Sequence, residues 1–189
     1  MQELLEQIQV EGVHDGIFDV ATRRGADTPG HPSRWKTYYR SSTFPDLGVL
    51  LAHEDAETSI ETLRARLDEE ADNYRRLLDV GFDVPATAGR SVEVVDHLAG
   101  GRRAAALIVE HVAGSGPYKA RTDVRRIARV VMEQEASLTK RFTEAWAGLR
   151  VAAARKAPQD LQVMLGDDGR IVTIDPEKVG PGVALNDLT

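Results

Sequence analysis

The most constraining stretch in the chain lies near its end, Asp160-Leu-Gln-Val-Met-Leu-Gly-Asp-Asp-Gly-Arg-Ile-Val-Thr-Ile-Asp175. Two short apolar runs, Leu161 to Leu165 and Ile171 to Ile174, flank Gly166-Asp167-Asp168-Gly169-Arg170. Asp-Gly between β-forming residues is a strong hairpin signal, because glycine enters the positive-φ region such turns require without steric cost. A turn centred on Asp168-Gly169 sets Gln162 opposite or nearly opposite Asp175, with Asp160 at the same end of the ribbon. Side chains alternate along a strand, so a slip of one residue in register would separate them. In the favoured register two carboxylates and an amide oxygen share one small volume, a donor set suited to a hard cation. The plainer reading is a surface hairpin whose acids solubilise a turn.

Length bounds the architecture to one domain or two small lobes, since 189 residues suffice for little more. The balance of 24 basic against 30 acidic residues gives a net charge of −6. That argues against nonspecific binding to nucleic acid or to an anionic membrane, both of which favour basic surfaces. The absence of cysteine excludes disulfides, thiol catalysis and thiolate-bound zinc. No run is long and apolar enough for a membrane span, and Met1-Gln2-Glu3-Leu4 does not open a signal peptide. The expectation is a protein cytoplasmic as made, with secretion by a route other than Sec left open.

Taken in order, Met1 to Gln9 reads as a short helix with Leu4, Leu5 and Ile8 inward. Val10 to Thr22 fits a strand, a bend at Gly12-x-x-x-Gly16 and a second strand. Residues 23–33 read as an exposed loop rich in Gly, Pro and charge, and Arg34 to Ser42 as a strand holding Lys36. Gly48 to His53 is another strand. Thr58-x-x-Glu61 has a capping-box spacing, opening a helix with Ile60, Leu63, Leu67, Tyr74 and Leu77 on one stripe. Glu70 falls on that stripe. A carboxylate buried alone is costly, so an inward Glu70 needs a cationic or hydrogen-bonding partner; otherwise Ala71 takes the inward seat.

Ser91 to Leu98 and Arg103 to Val112 read as strands joined at Gly100-Gly101. A second long helix starts near Thr122 or Asp123 and runs to Pro158, with a bend or break near Gly148. Arg125, Arg126 and Arg129 cluster near its start, either as a solvated face or as a site for an acidic partner. No Walker motif, Gly-x-Gly-x-x-Gly or His-Glu-x-x-His is present, the five histidines are scattered, and Gly114-Ser115-Gly116 lacks the spacing of a nucleophile elbow.

The Asp160–Asp175 segment resembles the metal-binding hairpin of the protein-kinase-like fold. Residues 73–85, Asn-Tyr-Arg-Arg-Leu-Leu-Asp-Val-Gly-Phe-Asp-Val-Pro, resemble the helix exit of aminoglycoside-phosphotransferase-like kinases. The resemblance covers residues 10 to 178 in the order of elements rather than in strict motifs. It implies an α+β fold of two lobes, residues 1–112 and 113–189. The first would hold an antiparallel sheet with one long helix, the second a reduced set of one long helix and a β-hairpin. It further implies ATP and Mg²⁺ as cofactors. Gln162 and Asp175 would hold the metal, Asp160 would serve as the base, and Lys36, oriented by Glu70, would bind phosphates. Gly12 and Gly16 would cover the nucleotide, and the backbone at Glu110 and Val112 would meet the adenine.

A rival alignment makes Gly48 to His53 the third strand and leaves His53 where the family keeps its Lys. Two further departures stand out. Arg155-Lys156-Ala157 replaces the family's His-Arg-Asp, so either Asp160 takes over as base or the protein is catalytically dead. Only fourteen residues follow Asp175, as in minimal bacterial effector kinases and toxins. The implied activity is phosphotransfer to a protein or small-molecule hydroxyl; the alternatives are a pseudokinase-like binding module or an unrelated α+β protein.

Overall fold

The computed structural model describes residues 1–25 and 35–188. The fold is α+β, with four α-helices and antiparallel sheets among the described residues. No helix among them is long and apolar enough to cross a membrane. The chain divides into two compact units, residues 1–71 with 86–111, and residues 72–85 with 112–189.

The first unit opens with α1 (Gln2–Glu11), whose Leu4 and Ile8 are fully buried. Helix α1 runs further than the sequence suggested, and Val10 is a solvent-facing helical residue rather than the start of a strand. The expected first strand shrinks to Val13, in an isolated bridge to Asp96. Gly12 is therefore the stop of a helix, and Gly16 lies in the turn that follows; they do not link two paired strands. A five-stranded antiparallel sheet follows. Its members are β1 (Phe18–Gly25), β2 (Thr37–Ser41), β3 (Leu47–His53), β4 (Val92–Asp96) and β5 (Arg102–Glu110), in spatial order β1-β2-β3-β5-β4. Residues 23–25 belong to β1; the rest of the expected loop, residues 26–33, and Arg34 lie outside the described residues.

Alternation divides this sheet's two faces. Tyr39, Val49, Leu51, Val94, Ala104, Ala106 and Ile108 pack with Leu4 and Ile8 of α1. Ala52, Ala105, Leu107 and Val109 pack on the other side with Ile60, Leu63, Leu67 and Ala71 of α2 (Ile60–Leu78). Each Val, Leu or Ile side chain so enclosed contributes about 1.5–3 kcal/mol, and each Ala less. The cap of α2 is one residue later than the capping-box spacing suggested. Ser59 Oγ accepts from the Thr62 amide at 3.4 Å, while the Thr58 amide is drawn to Asp55 Oδ1 at 2.8 Å. Strand β4 is also shorter than expected, because residues 97–99 turn into a short 3₁₀ helix.

The second unit contains β6 (Gly114–Lys119), α3 (Val124–Met132), α4 (Ala136–Arg155), β7 (Lys156–Pro158), β8 (Gln162–Gly166), β9 (Ile171–Ile174) and β10 (Val179–Pro181). The single long helix of the sequence reading is two helices, broken at residues 133–135, and Gly148 sits inside α4. Pro158 does not stop a helix either; it lies in β7, which pairs with β10. The β8–β9 hairpin gains β6 as a third strand. Trp146, Leu149, Ala152 and Ala153 of α4 pack with Ile127 and Val131 of α3 and with Val163, Leu165 and Ile171 of the sheet.

Thr173 faces the same side of the hairpin as its partner Val163 and is fully buried. Among the described residues its hydroxyl is the one buried side-chain polar atom without a hydrogen-bond partner. Removing an unsatisfied buried hydroxyl while keeping the shape is favourable, so Thr173→Val is expected to stabilise the protein by about 1 kcal/mol. The measurement is the urea midpoint at unchanged slope.

Candidate functional site

In the first unit, Lys36 immediately precedes β2 and Glu70 lies two turns before the end of α2. Both are buried, and Lys36 Nζ lies 2.5 Å from Glu70 Oε2. Glu70 and Ala71 are both buried, so the alternative in which Glu70 swings to the rim does not apply. Lys36 also lies 5.3 Å from the centre of the Trp35 ring, with Arg66 5.9 Å from the same ring. The ammonium is thus bounded by a carboxylate and an aromatic face, which fix its position.

Next to Lys36 on the same sheet face is Tyr38. Its hydroxyl is 2.7 Å from His111 Nδ1, and the two rings stack at 6.1 Å. The neighbouring strand carries Gly48, where a Cβ would overlap the Tyr38 ring. Glycine at this position is what lets tyrosine lie across β3 and reach the end of β5. Sequence reading singled out neither Tyr38 nor this use of Gly48; the alternation of β2, which puts positions 36 and 38 on one face, is the signal that could have found it.

Glu110 ends β5. Its amide donates to Ala86 O at 2.7 Å, and its carboxylate accepts from the Ala86 amide at 3.0 Å. That amide is therefore already committed within the unit. Gly16 donates its amide to His14 Nδ1 at 3.1 Å, and Gly12 packs against Val95 O.

In the second unit, Gln162 opens β8 and pairs with Ile174, one position short of Asp175. The cause is the turn. Gly166 and Arg170 are joined across a three-residue loop, with Gly169 at φ 86°, rather than a two-residue Asp168-Gly169 turn. One residue of slip would turn the Asp175 side chain to the opposite face in a regular strand. The strand has already ended there: Asp175 has φ 54°, and among the described residues it is the one non-glycine residue with positive φ. For a residue with a Cβ this conformation costs about 1–2 kcal/mol, and such strain persists where the surroundings enforce it. Here the enforcement is visible. The Asp175 amide donates to Tyr74 Oη at 3.0 Å, its carbonyl accepts from the Glu177 amide at 2.9 Å, and Asn73 Nδ2 holds Pro176 O at 2.9 Å.

Asp160 lies in the short loop before β8 and is half exposed. It accepts from Gln162 Nε2 at 3.2 Å and sits 3.4 Å from Lys119 Nζ. A pair this exposed contributes little to stability. Ala157, the position at which the kinase-like resemblance expects an acid, lies in β7 with its side chain in the core. Val112 falls in the link between β5 and β6. Among the described residues no group of three or more His, Cys, Asp or Glu is placed to hold a metal ion. The donor chemistry of Asp175 and Gln162, one carboxylate and one amide, fits magnesium arriving with phosphates and water rather than a cation held by protein alone. A scan against protein-family models finds no match, and comparison with curated proteins finds no significant one.

Proposed function

We propose that the protein is a minimal, kinase-like phosphotransferase, using magnesium-bound ATP and acting on a hydroxyl of a protein or small molecule. The observation that carries the reading is the buried Lys36–Glu70 pair at 2.5 Å. A buried ion pair is no more stabilising than well-packed apolar side chains, so its retention is better explained by what the oriented ammonium does. In this reading Lys36 binds phosphate oxygens, and Glu70 and Trp35 hold it in place. Asp175 and the Gln162 amide are the metal-side donors, and the strained backbone of Asp175 is the feature that sets its direction. Magnesium, when bound, would neutralise charge on the phosphates. Asp160 would accept the acceptor's hydroxyl proton as the new P–O bond forms and ADP leaves. Such a reaction asks mainly for positioning and charge neutralisation.

A nucleotide-binding module without transfer is the second reading. It is favoured by the apolar burial of Ala157 and by the ties of Asp160 to Lys119 and Gln162.

The experiment is a thermal-shift scan with ATP, with and without magnesium, joined to an isotope-transfer assay. Saturation to a hundred times Kd stabilises a native state by about 2.7 kcal/mol. For a chain of this size that is a rise in Tm of about 5–10 °C. Asp175→Asn is expected to lose the magnesium-dependent part of the rise and at least about tenfold of any transfer. Stabilisation without transfer, and without an effect of Asp160→Asn, supports the binding module. No shift with any nucleotide removes both readings.

A further inference from the structure

The start of α3 carries an arrangement of charge that works against its own helix. Arg121, Arg125, Arg126 and Arg129 are all exposed, and α3 has no acidic residue in its first turn. Arg125 and Arg126, in the first turn, oppose the macrodipole, and Arg129, although its place in the last turn suits the macrodipole, repels Arg125 at i and i+4. Arg126 lies 5.1 Å from the Tyr118 ring centre. Arg121, Arg125 and Arg129 make no ion pair among the described residues, whereas Arg103 meets Glu54 and Glu93, Arg170 meets Asp83 and Asp168, and Arg150 meets Asp187. The nearby acid is already engaged, since Asp123 Oδ2 accepts from the Lys119 amide at 2.9 Å. In a chain of net charge −6 this is a local reversal of sign in which Arg121, Arg125 and Arg129 have no acidic partner among the described residues.

A second feature adjoins it. A cavity of about 450 Å³ opens along α3 and α4, lined by Ala128, Val131, Met132, Trp146, Ala147 and Leu188 among others. Met132 at its mouth is 74% exposed. Positions 125, 128, 129 and 132 form one stripe of α3, which puts Arg125 and Arg129 on the same side of the helix as Ala128 and Met132 of the lining. Arg150, also on the lining, is held by Asp187 and by Leu185 O.

We infer that this face of α3 is a docking surface for an acidic, amphipathic segment of a partner protein, taken up as a helix laid in a groove. Apolar side chains of the segment enter the cavity, and its flanking carboxylates meet Arg125 and Arg129. Charge complementarity selects the partner, and the apolar cavity separates it from a nucleic acid, which would use the arginines alone. The inference is independent of the phosphotransfer reading, because none of these residues belongs to that site.

The test uses the full chain and a fluorescein-labelled peptide of about 14 residues with Leu at i, i+3 and i+7 and Glu elsewhere, followed by anisotropy at about 0.15 M salt. Saturable binding is expected. The double variant Arg125→Glu, Arg129→Glu should weaken it at least about tenfold, as loss and reversal of facing charges does. Its Tm should change little, because an acid at position 125 suits the helix start and offsets one at position 129 in the last turn. The same peptide with Ser for Leu should also bind at least about tenfold more weakly, through loss of apolar burial. The inference is overturned by no peptide binding, by equal binding of the double variant or the Ser peptide, or by tighter binding of oligo-dT or of phosphatidylserine vesicles.

Discussion

Lys36→Ala is expected to destabilise the protein by about 3–5 kcal/mol, the range for removing one member of a buried ion pair. The Glu70 side chain is 3% exposed, so its carboxylate cannot turn to bulk water when the ammonium goes. Desolvation of the remaining charge, rather than the lost attraction, sets the size of the effect. Lys36→Met combined with Glu70→Leu should therefore recover most of the loss, since the pair is replaced by apolar groups beside the Trp35 ring, which packs against the cluster of Leu67 and Ala71. Urea unfolding of the two single variants and the double variant measures the coupling. The same double variant divides stability from function. A fold restored without the Mg-ATP thermal shift assigns the pair to ligand binding, whereas a restored fold with an undiminished shift removes Lys36 from the site.

How far the sequence carried this account depends on where the signal lay. The stripe of α2 was legible because Ile60, Leu63, Leu67, Tyr74 and Leu77 repeat at helical spacing, and Glu70 stood out as the one charged member. The β8–β9 hairpin was legible from Asp-Gly between apolar runs, but its register was not. A three-residue loop with Gly169 at positive φ and a two-residue turn use the same residues and differ by one position in pairing. The break between α3 and α4 was hidden because Glu133-Gln-Glu135 contains no Pro or Gly, and the apolar stripe continues across it from Val131 to Leu138 and Phe142. Helix α1 was foreseen but its end was not, since Val10 looked like the start of a strand. Contact across many residues was the least legible. Tyr38 reaching His111 and Tyr74 holding the Asp175 amide join positions 73 and 101 residues apart and had no local signal, while Lys36 meeting Glu70, 34 residues apart, was expected only through the kinase-like resemblance.

Asp96→Ala is expected to destabilise the protein by about 3 kcal/mol, the lower bound for breaking a buried charged pair. The Asp96 side chain is fully buried at the end of β4, with both carboxylate oxygens engaged. Oδ1 accepts from the Leu98 and Ala99 amides at 2.9 and 3.2 Å, capping the 3₁₀ helix, and Oδ2 lies 2.7 Å from His53 Nε2 at the end of β3. An ionised carboxylate accepts all three, so the imidazole Nε2–H is the donor. Alanine removes the three acceptor contacts and leaves two amides and an imidazole without their partner in a part-buried site. Asp96→Asn keeps an oxygen for the cap but loses the charge that strengthens the bond to His53, and should cost about 1 kcal/mol. Hydrogen exchange separates the two contributions. Faster exchange at Leu98 and Ala99 is expected in Asp96→Ala but not in Asp96→Asn, while His53→Ala should destabilise globally without singling out those amides. Equal effects of both Asp96 variants would show that the pair, not the cap, carries the energy. Either result bears on the rival reading of β3, since an imidazole committed to Asp96 in this way is a brace for the sheet edge and stands in poorly for a phosphate-binding lysine.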